Sequence, residues 1–316
     1  MLHLRVTLPA ERRQDVLDLL HDDAGVTNLA VLPGCSVKPP GDIILADLAR
    51  ESADGVIRAL QEREIDIVGT ISLDSVDTSI GRAADRAEND APGEGADAVI
   101  WEQVIRSTDA ESALSATYIT FLSIATVLAA IAIVLDSAVL IVGAMVLGPE
   151  FAPMAALAVG IVHRRGTVIR HAIIALTVGF GIAILFTTVL AFLARALGWI
   201  DSSLADAERP QTGFIIAPDK WSLIVALIAG VAGVLSLTSA RSGPLVGVFI
   251  TVTTVPAAGN VALALGEASE VRSSLLQLAI NVSAILVAGI LTMLVQRALW
   301  RRVPGAAPRP IGRHHP

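Results

Sequence analysis

The sequence predicts a polytopic α-helical membrane protein with a small α+β domain at its amino terminus. Hydrophobic residues make up 53% of the 316 residues, charged residues make up 17%, and the mean hydropathy is +0.67. Soluble domains are nearer a quarter charged, so this composition excludes an ordinary soluble enzyme. Residues 1–112 hold 22 acidic and 10 basic residues, whereas residues 113–316 hold 8 acidic and 13 basic residues. An acidic soluble part therefore precedes an apolar part whose few charges are mostly basic.

The charge and the cysteine content exclude several classes of partner. An acidic soluble part argues against nucleic-acid binding, which needs a basic face. One cysteine, Cys35, permits neither an internal disulfide nor a cysteine metal cluster. We therefore expect no cofactor and no nucleic acid, and the sequence leaves any metal unknown.

Residues 1–77 read as a compact domain of alternating strands and helices. The predicted elements are a strand at 3–8, a helix at 10–22, strands at 26–32 and 42–48, a helix at 52–62 and a strand at 69–76. This order is that of a ferredoxin-like unit. Since no signal peptide is recognisable before it, we expect a cytoplasmic domain that regulates or dimerises the protein.

Residues 78–116 connect this domain to the apolar part. Residues 78–97 are acidic and contain glycine and proline, which predicts a linker. Residues 98–114 have a helical pattern, and Trp101 suits a membrane–water interface. Packing of this helix against the soluble domain is an equally good interpretation.

Residues 117–302 form the predicted transmembrane domain, and residues 303–316 a cytoplasmic tail. A bilayer core of about 30 Å needs about 20 mostly apolar residues for each helix. Six stretches meet this requirement. They are Tyr118–Leu135, Ser137–Val162, Val168–Leu197, Trp221–Ser239, Pro244–Leu265 and Leu275–Trp300.

The basic residues predict how these spans are oriented. If the amino-terminal domain is cytoplasmic, nine Lys and Arg residues after position 112 lie inside and four lie outside. Cytoplasmic connections of membrane proteins carry such an excess. We therefore expect a multi-pass protein of the cell membrane with both termini cytoplasmic.

The second and fifth spans are predicted to be broken helices. Pro149 and Pro153 lie one turn apart in the second span, and each lacks the N–H that an internal helical bond requires. The fifth span combines threonines with Pro256 and Gly259. Broken helices at matching positions of two three-span halves indicate an inverted repeat, which in transporters places the binding site near the bilayer midplane.

Glu150 is the acidic residue that falls within a predicted span. A charged side chain near the bilayer centre costs about 2.5–3.5 kcal/mol on insertion scales. The functional interpretation is a carboxylate that binds a proton or a cation beside the broken backbone. The alternatives are a protonated glutamic acid that is hydrogen-bonded to a neighbouring helix, and a residue that is wetted by a cytoplasmic vestibule.

Other polar residues and helix-breaking residues of the two broken spans complete the candidate site. Asn260 and Asn281 could line the same cavity, although hydrogen bonding between helices explains them equally well. The candidate substrate- or ion-binding residues are Met145, Gly148, Pro149, Glu150, Pro153, Thr253, Thr254, Pro256, Asn260 and Asn281.

These motifs resemble a family of uncharacterised membrane proteins described as domain of unknown function 389. The resemblance runs from about Ile100 to Val295. Its motifs are Asp136-Ser137, Ile141-Val142-Gly143-Ala144-Met145 with Pro149 and Pro153, Leu245-Val246-Gly247-Val248 up to Pro256, and Ala279-Ile280-Asn281-Val282. Glu150 replaces a more usual apolar residue, and Pro256 stands where two adjacent prolines are common. The resemblance implies the membrane architecture but no function.

The leading functional hypothesis is a transporter or channel-like protein for a small solute or ion, coupled to protons or cations through Glu150. The alternative is a membrane-anchored ligand sensor or scaffold without transport activity. We do not expect an enzyme, because the sequence has no motif of a metallohydrolase, serine hydrolase or phosphate-binding loop. The expected partners are the lipid bilayer, a small solute or ion, and a second copy in a homodimer.

Overall fold

The computed structural model describes residues 1–76, 78–91, 98–200, 212, 220–239, 254–264 and 268–300. They separate into two compact units. An amino-terminal unit is built on residues 1–104, and a helical unit is built on residues 105–237 and 242–295.

The amino-terminal unit contains a four-stranded antiparallel sheet and helices. Its elements are β1 (Leu2–Leu8), α1 (Arg13–His21), β2 (Val26–Val37), β3 (Pro40–Leu48), α2 (Arg50–Glu62), α3 (Ile65–Val68) and β4 (Thr70–Ser75). The strands lie in the order β2-β3-β1-β4, and β1 pairs with both β3 and β4. The predicted order of strands and helices is present, with the short α3 added and with β2 extended to Val37.

The alternation of β1 creates the core of this unit. Leu2, Leu4, Val6 and Leu8 point to one face and are at most 2% exposed. Successive strand side chains point to opposite faces, so a two-residue repeat buries one whole face. The same cluster includes buried apolar residues of α1 and α2, namely Val16, Leu20, Ala53, Val56, Ile57 and Leu60.

Part of the predicted linker is helical in the structure. Helix α4 covers Arg82–Asp90, with Ala84 and Ala87 buried. Helix α5 covers Trp101–Glu111. The linker prediction therefore missed α4, whose polar composition conceals the three-residue spacing of its two buried alanines.

The residues just before α5 belong to the amino-terminal core. Ile100 is 1% exposed and lies in the cluster formed by the sheet and its helices. The Arg50 side chain donates to the carbonyl of Ala98 (3.0 Å), and the Trp101 N–H donates to Asp54 Oδ1 (3.1 Å). The sequence left two interpretations of this segment, a helix at the membrane interface and packing against the soluble domain. The contacts of Ile100 and Trp101 agree with packing against the soluble domain.

The helical unit contains long apolar helices. They are α6 (Ala116–Val134), α7 (Ala138–Leu147), α8 (Phe151–His163), α9 (Gly166–Ala196), α10 (Lys220–Thr238), α11 (Thr254–Leu263) and α12 (Ala268–Trp300). Side-chain oxygens of Ser115 and Ser137 cap α6 and α7 by accepting from backbone N–H groups of their first turns.

Within the described residues, three helices are long and apolar enough to cross a membrane: α6, α9 and residues 271–299 of α12. Helices α7 and α8 qualify together as one span bent by 53°. Residues 222–238 of α10 are apolar but form a shorter helix than these three. Much of the predicted fifth span, residues 244–253, lies outside the described residues.

The surface of these helices is apolar, as a lipid-facing surface must be. Large side chains such as Leu185, Phe186, Phe192, Leu291 and Val295 are at least half exposed. Water-soluble proteins rarely expose contiguous apolar surface of this kind. The long apolar helices and their exposed apolar side chains together indicate a membrane-embedded protein.

Candidate functional site

The break between α7 and α8 forms the centre of the candidate site. Helix α7 ends at Leu147, and Gly148 leaves the helical conformation with ψ 121°. Pro149 has no N–H to continue the helix. Helix α8 begins at Phe151, so three residues separate the two helices. The directions of the two helix axes differ by 53°.

The two prolines of this segment have different roles in the structure. Pro149 lies in the break, whereas Pro153 is the third residue of α8. The first turn of a helix has no internal partners for its N–H groups, so a proline there costs nothing. The prediction that both prolines interrupt the helix is therefore wrong for Pro153, and a single break lies at residues 148–150.

Glu150 is fully buried at this break. Its Oε1 accepts a hydrogen bond from Thr254 Oγ1 of α11 (2.8 Å), and Thr254 is also fully buried. Its Oε2 is buried and has no hydrogen-bond partner among the described residues. The carboxyl group thus joins two helices through one oxygen, while its other oxygen is buried without a partner among the described residues.

Gly148 provides the space that the Glu150 carboxyl group occupies. A Cβ at position 148 would collide with Glu150 Oε2 and would lie 2.8 Å from Val255 Cγ2 of α11. Gly148 has φ −71°, a value open to any residue. Glycine is therefore required here by the close approach of two side chains rather than by its own backbone conformation.

Helix α11 brings the predicted residues of the fifth span against this break. All ten of its residues are buried, including Thr254, Pro256 and Asn260. Asn260 Nδ2 donates to Ser274 Oγ of α12 (2.7 Å), which joins the last two helices. Thr253 lies outside the described residues.

The end of α11 is held by α9. Arg195 Nη2 donates to the Leu263 carbonyl (3.1 Å), and Thr188 Oγ1 lies 3.5 Å from the Ala262 carbonyl. A cation at the carboxyl end of a helix satisfies unpaired carbonyls and complements the helix dipole. Helix α11 is therefore fixed by polar contacts at both of its ends.

Helix α12 carries three polar side chains on one buried face. Ser274, Gln277 and Asn281 are spaced by three and four residues, and none is more than 1% exposed. Gln277 Oε1 and both amide atoms of Asn281 have no hydrogen-bond partner among the described residues. We call these three residues the α12 polar stripe.

The α12 polar stripe reaches the level of the Glu150 break. Asn260 near the end of α11 donates to Ser274 near the start of α12. Thr254, which donates to Glu150, lies about 9 Å back along α11 from this contact, and Asn281 lies about 10 Å along α12 from it. Because helices that meet end to start run antiparallel, Asn281 lies at about the level of Thr254 and Glu150.

Met145 is the predicted site residue that the structure places elsewhere. It is buried in a cluster with Ile133, Ile141 and Leu263. Within the described residues, no group of three or more His, Cys, Asp or Glu side chains could hold a metal ion. The site as described therefore offers one carboxyl group with amide and hydroxyl groups.

Sequence reasoning missed Ser274, Gln277 and Tyr118. The spacing of Ser274 and Gln277 relative to Asn281 was a usable signal, because three polar residues share one face of an apolar helix. Tyr118 is 5% exposed, its hydroxyl has no partner among the described residues, and its ring packs where Gly179 leaves space. No local pattern marks it, since a single tyrosine at the start of an apolar span is ordinary.

Comparison with known proteins confirms the family resemblance. The family model described as domain of unknown function (DUF389) matches residues 145–287. An uncharacterized protein of Methanocaldococcus jannaschii is 30% identical over 174 residues, which cover 52% of this chain and 51% of that protein. The chain thus spans about half the length of this curated relative. No solved structure matches the chain.

Proposed function

We propose that this chain, which belongs through residues 145–287 to the family described as domain of unknown function (DUF389), is a membrane transporter or channel-like protein for a small solute or ion. Glu150 binds a proton or a cation. This ion is either the transported species itself or the ion whose movement is coupled to transport of the solute. The observation that carries the proposal is a fully buried carboxyl group with one unpaired oxygen at a helix break.

The energetics of burial favour a ligand at Glu150. An isolated ionised carboxylate in a low-dielectric interior is strongly unfavourable unless it is paired or protonated. Thr254 supplies one neutral hydrogen bond, which does not compensate a full charge. A proton or a cation bound at Oε2 neutralises the carboxylate. Its binding and release at this position couple the ion to transport.

Helix directions support six alternating spans. Residues 122–129 of α6 share a cluster with Val255 and Ala258 of α11, and residues 130–133 share the next cluster with Leu263, so α6 and α11 run parallel. Gly230 of α10 lies against Ile285 of α12, and Gly289 lies against Val234, so α10 and α12 also run parallel. Alternation across a membrane requires the same directions for spans one and five and for spans four and six.

Matching contacts support an inverted repeat of three spans. In such a repeat, α6 corresponds to α10, and the middle element of each half packs against the first helix of the other half. Gly259 of α11 lies against Ala129 of α6. Met154 of α8 lies in one apolar cluster with Ala226 and Ala229 of α10. Inverted repeats with interrupted middle helices are frequent in secondary transporters.

The amino-terminal unit is proposed to be a ferredoxin-like domain that regulates or dimerises the protein on the cytoplasmic side. Its sheet order β2-β3-β1-β4 and its alternation of strands and helices support this assignment. Fold alone does not assign a ligand to it. Ile100 is buried in the core of this domain and directly precedes α5. A conformational change in the domain could therefore move the start of α5.

A membrane-anchored sensor without transport activity is the alternative. Anchoring needs apolar helices but does not need a buried carboxyl group at a break, which costs stability. Proteoliposomes that pass no ion under any gradient, with the full-length protein intact and correctly inserted, would favour the sensor.

The test of the proposal is Glu150→Gln in proteoliposomes that contain dyes sensitive to protons, sodium or potassium. Glutamine keeps the shape and can still accept from Thr254, but it cannot carry charge. We expect flux driven by an imposed gradient to fall by roughly tenfold or more, the change that about 1.4 kcal/mol of lost binding produces.

The matched control is Glu111→Gln, because Glu111 is exposed at the end of α5 and undergoes the same chemical change. Its flux should equal that of the unmodified protein. Unchanged flux and unchanged pH dependence in Glu150→Gln would refute the role of this carboxyl group.

A further inference from the structure

We propose that the α12 polar stripe lines an aqueous route that leads small monovalent cations to Glu150 from the end of the bundle where α12 begins. The route itself is independent of the transport assignment, whereas the choice of a cation rests on the proposed role of Glu150. In the predicted topology, this end of the bundle faces outward.

The polarity of α12 is reversed relative to a helix of a water-soluble protein. Leu276 is 54% exposed, whereas its neighbour Gln277 is 1% exposed. Apolar side chains thus cover the outer surface of the helix while Ser274, Gln277 and Asn281 point inward. In a membrane protein this arrangement is typical of a helix with lipid on one side and a polar interior on the other.

The unpaired groups of the stripe need polar partners. A buried amide without a hydrogen bond is costly, and backbone or side-chain groups at membrane depth are satisfied by protein, water or an ion. Gln277 Oε1 and both polar atoms of Asn281 find no partner among the described residues. Water or a passing solute can supply these partners, and the two residues that carry the three atoms lie one turn apart on a single face.

The geometry of α12 makes the stripe long enough to reach the broken helix. Ser274 lies six residues after the start of α12 at Ala268, which is about 9 Å along the axis. Asn281 lies about 10 Å further on, at about the level of Thr254, which donates to Glu150. The stripe itself therefore covers about a third of the thickness of a bilayer core, and Asn281 lies about two thirds of that thickness from the start of α12.

The chemistry of the stripe selects the class of solute. Its ligand atoms are amide and hydroxyl oxygens, and the Glu150 carboxyl group lies at about the level of Asn281. Oxygen ligands suit hard cations, but tight divalent sites use several carboxylates, as calcium loops do. The stripe contains no basic side chain to bind an anion. A small monovalent cation matches a site with a single carboxyl group.

The experiment measures whether water reaches the stripe, and it needs no knowledge of transport. The full-length chain carries Cys35→Ser together with either Ser274→Cys or Gln277→Cys, and the control carries Leu276→Cys. Cationic and anionic methanethiosulfonate reagents that cannot cross membranes are added to right-side-out and to inside-out vesicles. Thiols react as thiolates, so the reaction requires water at the site.

We expect both stripe variants to react from the outer side at least about tenfold faster than Leu276→Cys, whose side chain faces lipid, with reaction rates that scale with the thiolate fraction in water. The cationic reagent should react faster than the anionic one at Gln277→Cys. Ser274→Cys differs from the native residue by one atom, so it keeps the test valid if Gln277→Cys does not fold.

Rates at both stripe positions no greater than at Leu276 would overturn the aqueous route. Faster reaction from the cytoplasmic side would overturn its direction. Equal rates of the two reagents would overturn the selection of cations. Because labelling is read without flux, a labelled stripe combined with unchanged flux in Glu150→Gln would refute the proposed function while leaving the route standing.

Discussion

At the scale of single residues, the position of the Glu150 carboxyl group depends on the absence of a side chain at Gly148. The sequence marks Glu150 through its charge in an apolar stretch, and its burial follows because a helix break at membrane depth is enclosed by protein. Thr254, which donates to it, is 104 residues away in the chain. The contact between Gly148 and the carboxyl group also has no local signature, since glycine is common in membrane helices.

Gly148→Ala tests this dependence. The added methyl group would collide with Glu150 Oε2 and press on Val255, so we expect a loss of stability of about 1–3 kcal/mol, as for other overpacked sites. The measurement is thermal unfolding in detergent together with ion flux in proteoliposomes.

Gly143→Ala is the control for this variant, because Gly143 lies in α7, the helix that ends just before Gly148, and among the described residues a Cβ there would meet only Leu128 Cδ2, at an ordinary 3.7 Å. It should unfold at or above the temperature of the native protein. If Gly148→Ala proves as stable and as active as Gly143→Ala, the proposed packing of the carboxyl group is incorrect.

At the scale of elements, close helix approach depends on which glycine faces a neighbour. The pattern Gly179-x-Gly181 allows close packing on either side of α9. In the structure Gly179 faces Tyr118 and Leu122 of α6, whereas no atom of the part of the chain that the structure describes lies within 4 Å of a Cβ at Gly181. A two-residue spacing places the glycines on different faces of a helix, so only one of them can serve the α6 contact.

Gly179→Ala and Gly181→Ala should consequently change stability in opposite directions. The first would place a Cβ 2.6 Å from Tyr118 Cε1, with an expected cost of about 1–3 kcal/mol. The second removes a flexible glycine from a helix interior and should stabilise by roughly 0.5–1 kcal/mol. Unfolding temperatures in one detergent provide the comparison, and a shift of the same sign for both variants would contradict the assignment of faces.

At the scale of the whole molecule, the distribution of basic residues predicts the orientation in the membrane. If the six proposed spans are present and the amino-terminal domain is cytoplasmic, nine Lys and Arg residues after position 112 lie inside and four lie outside. Such an excess marks the cytoplasmic side.

Reporter insertions test this orientation. A green fluorescent protein fused after residue 316 should fluoresce, because it folds in the cytoplasm, and alkaline phosphatase inserted within residues 201–211 should be active, because it needs the outer compartment to form its disulfides. Exchanging the two reporters should silence both. Active phosphatase at the carboxyl end would place that end outside. With a cytoplasmic amino-terminal domain, this result would exclude an even number of spans.

Local patterns by themselves determined the class of the protein, the order of strands and helices in residues 1–77, and the break near Pro149, because hydropathy, alternation and missing N–H groups act within a few residues. Only the tertiary structure decided that Pro153 lies in the first turn of a helix, that Thr254 donates to Glu150 and that Met145 packs elsewhere. These outcomes depend on contacts between helices distant in the chain. Packing alone selects which face of an apolar helix turns inward, so no local pattern could specify them.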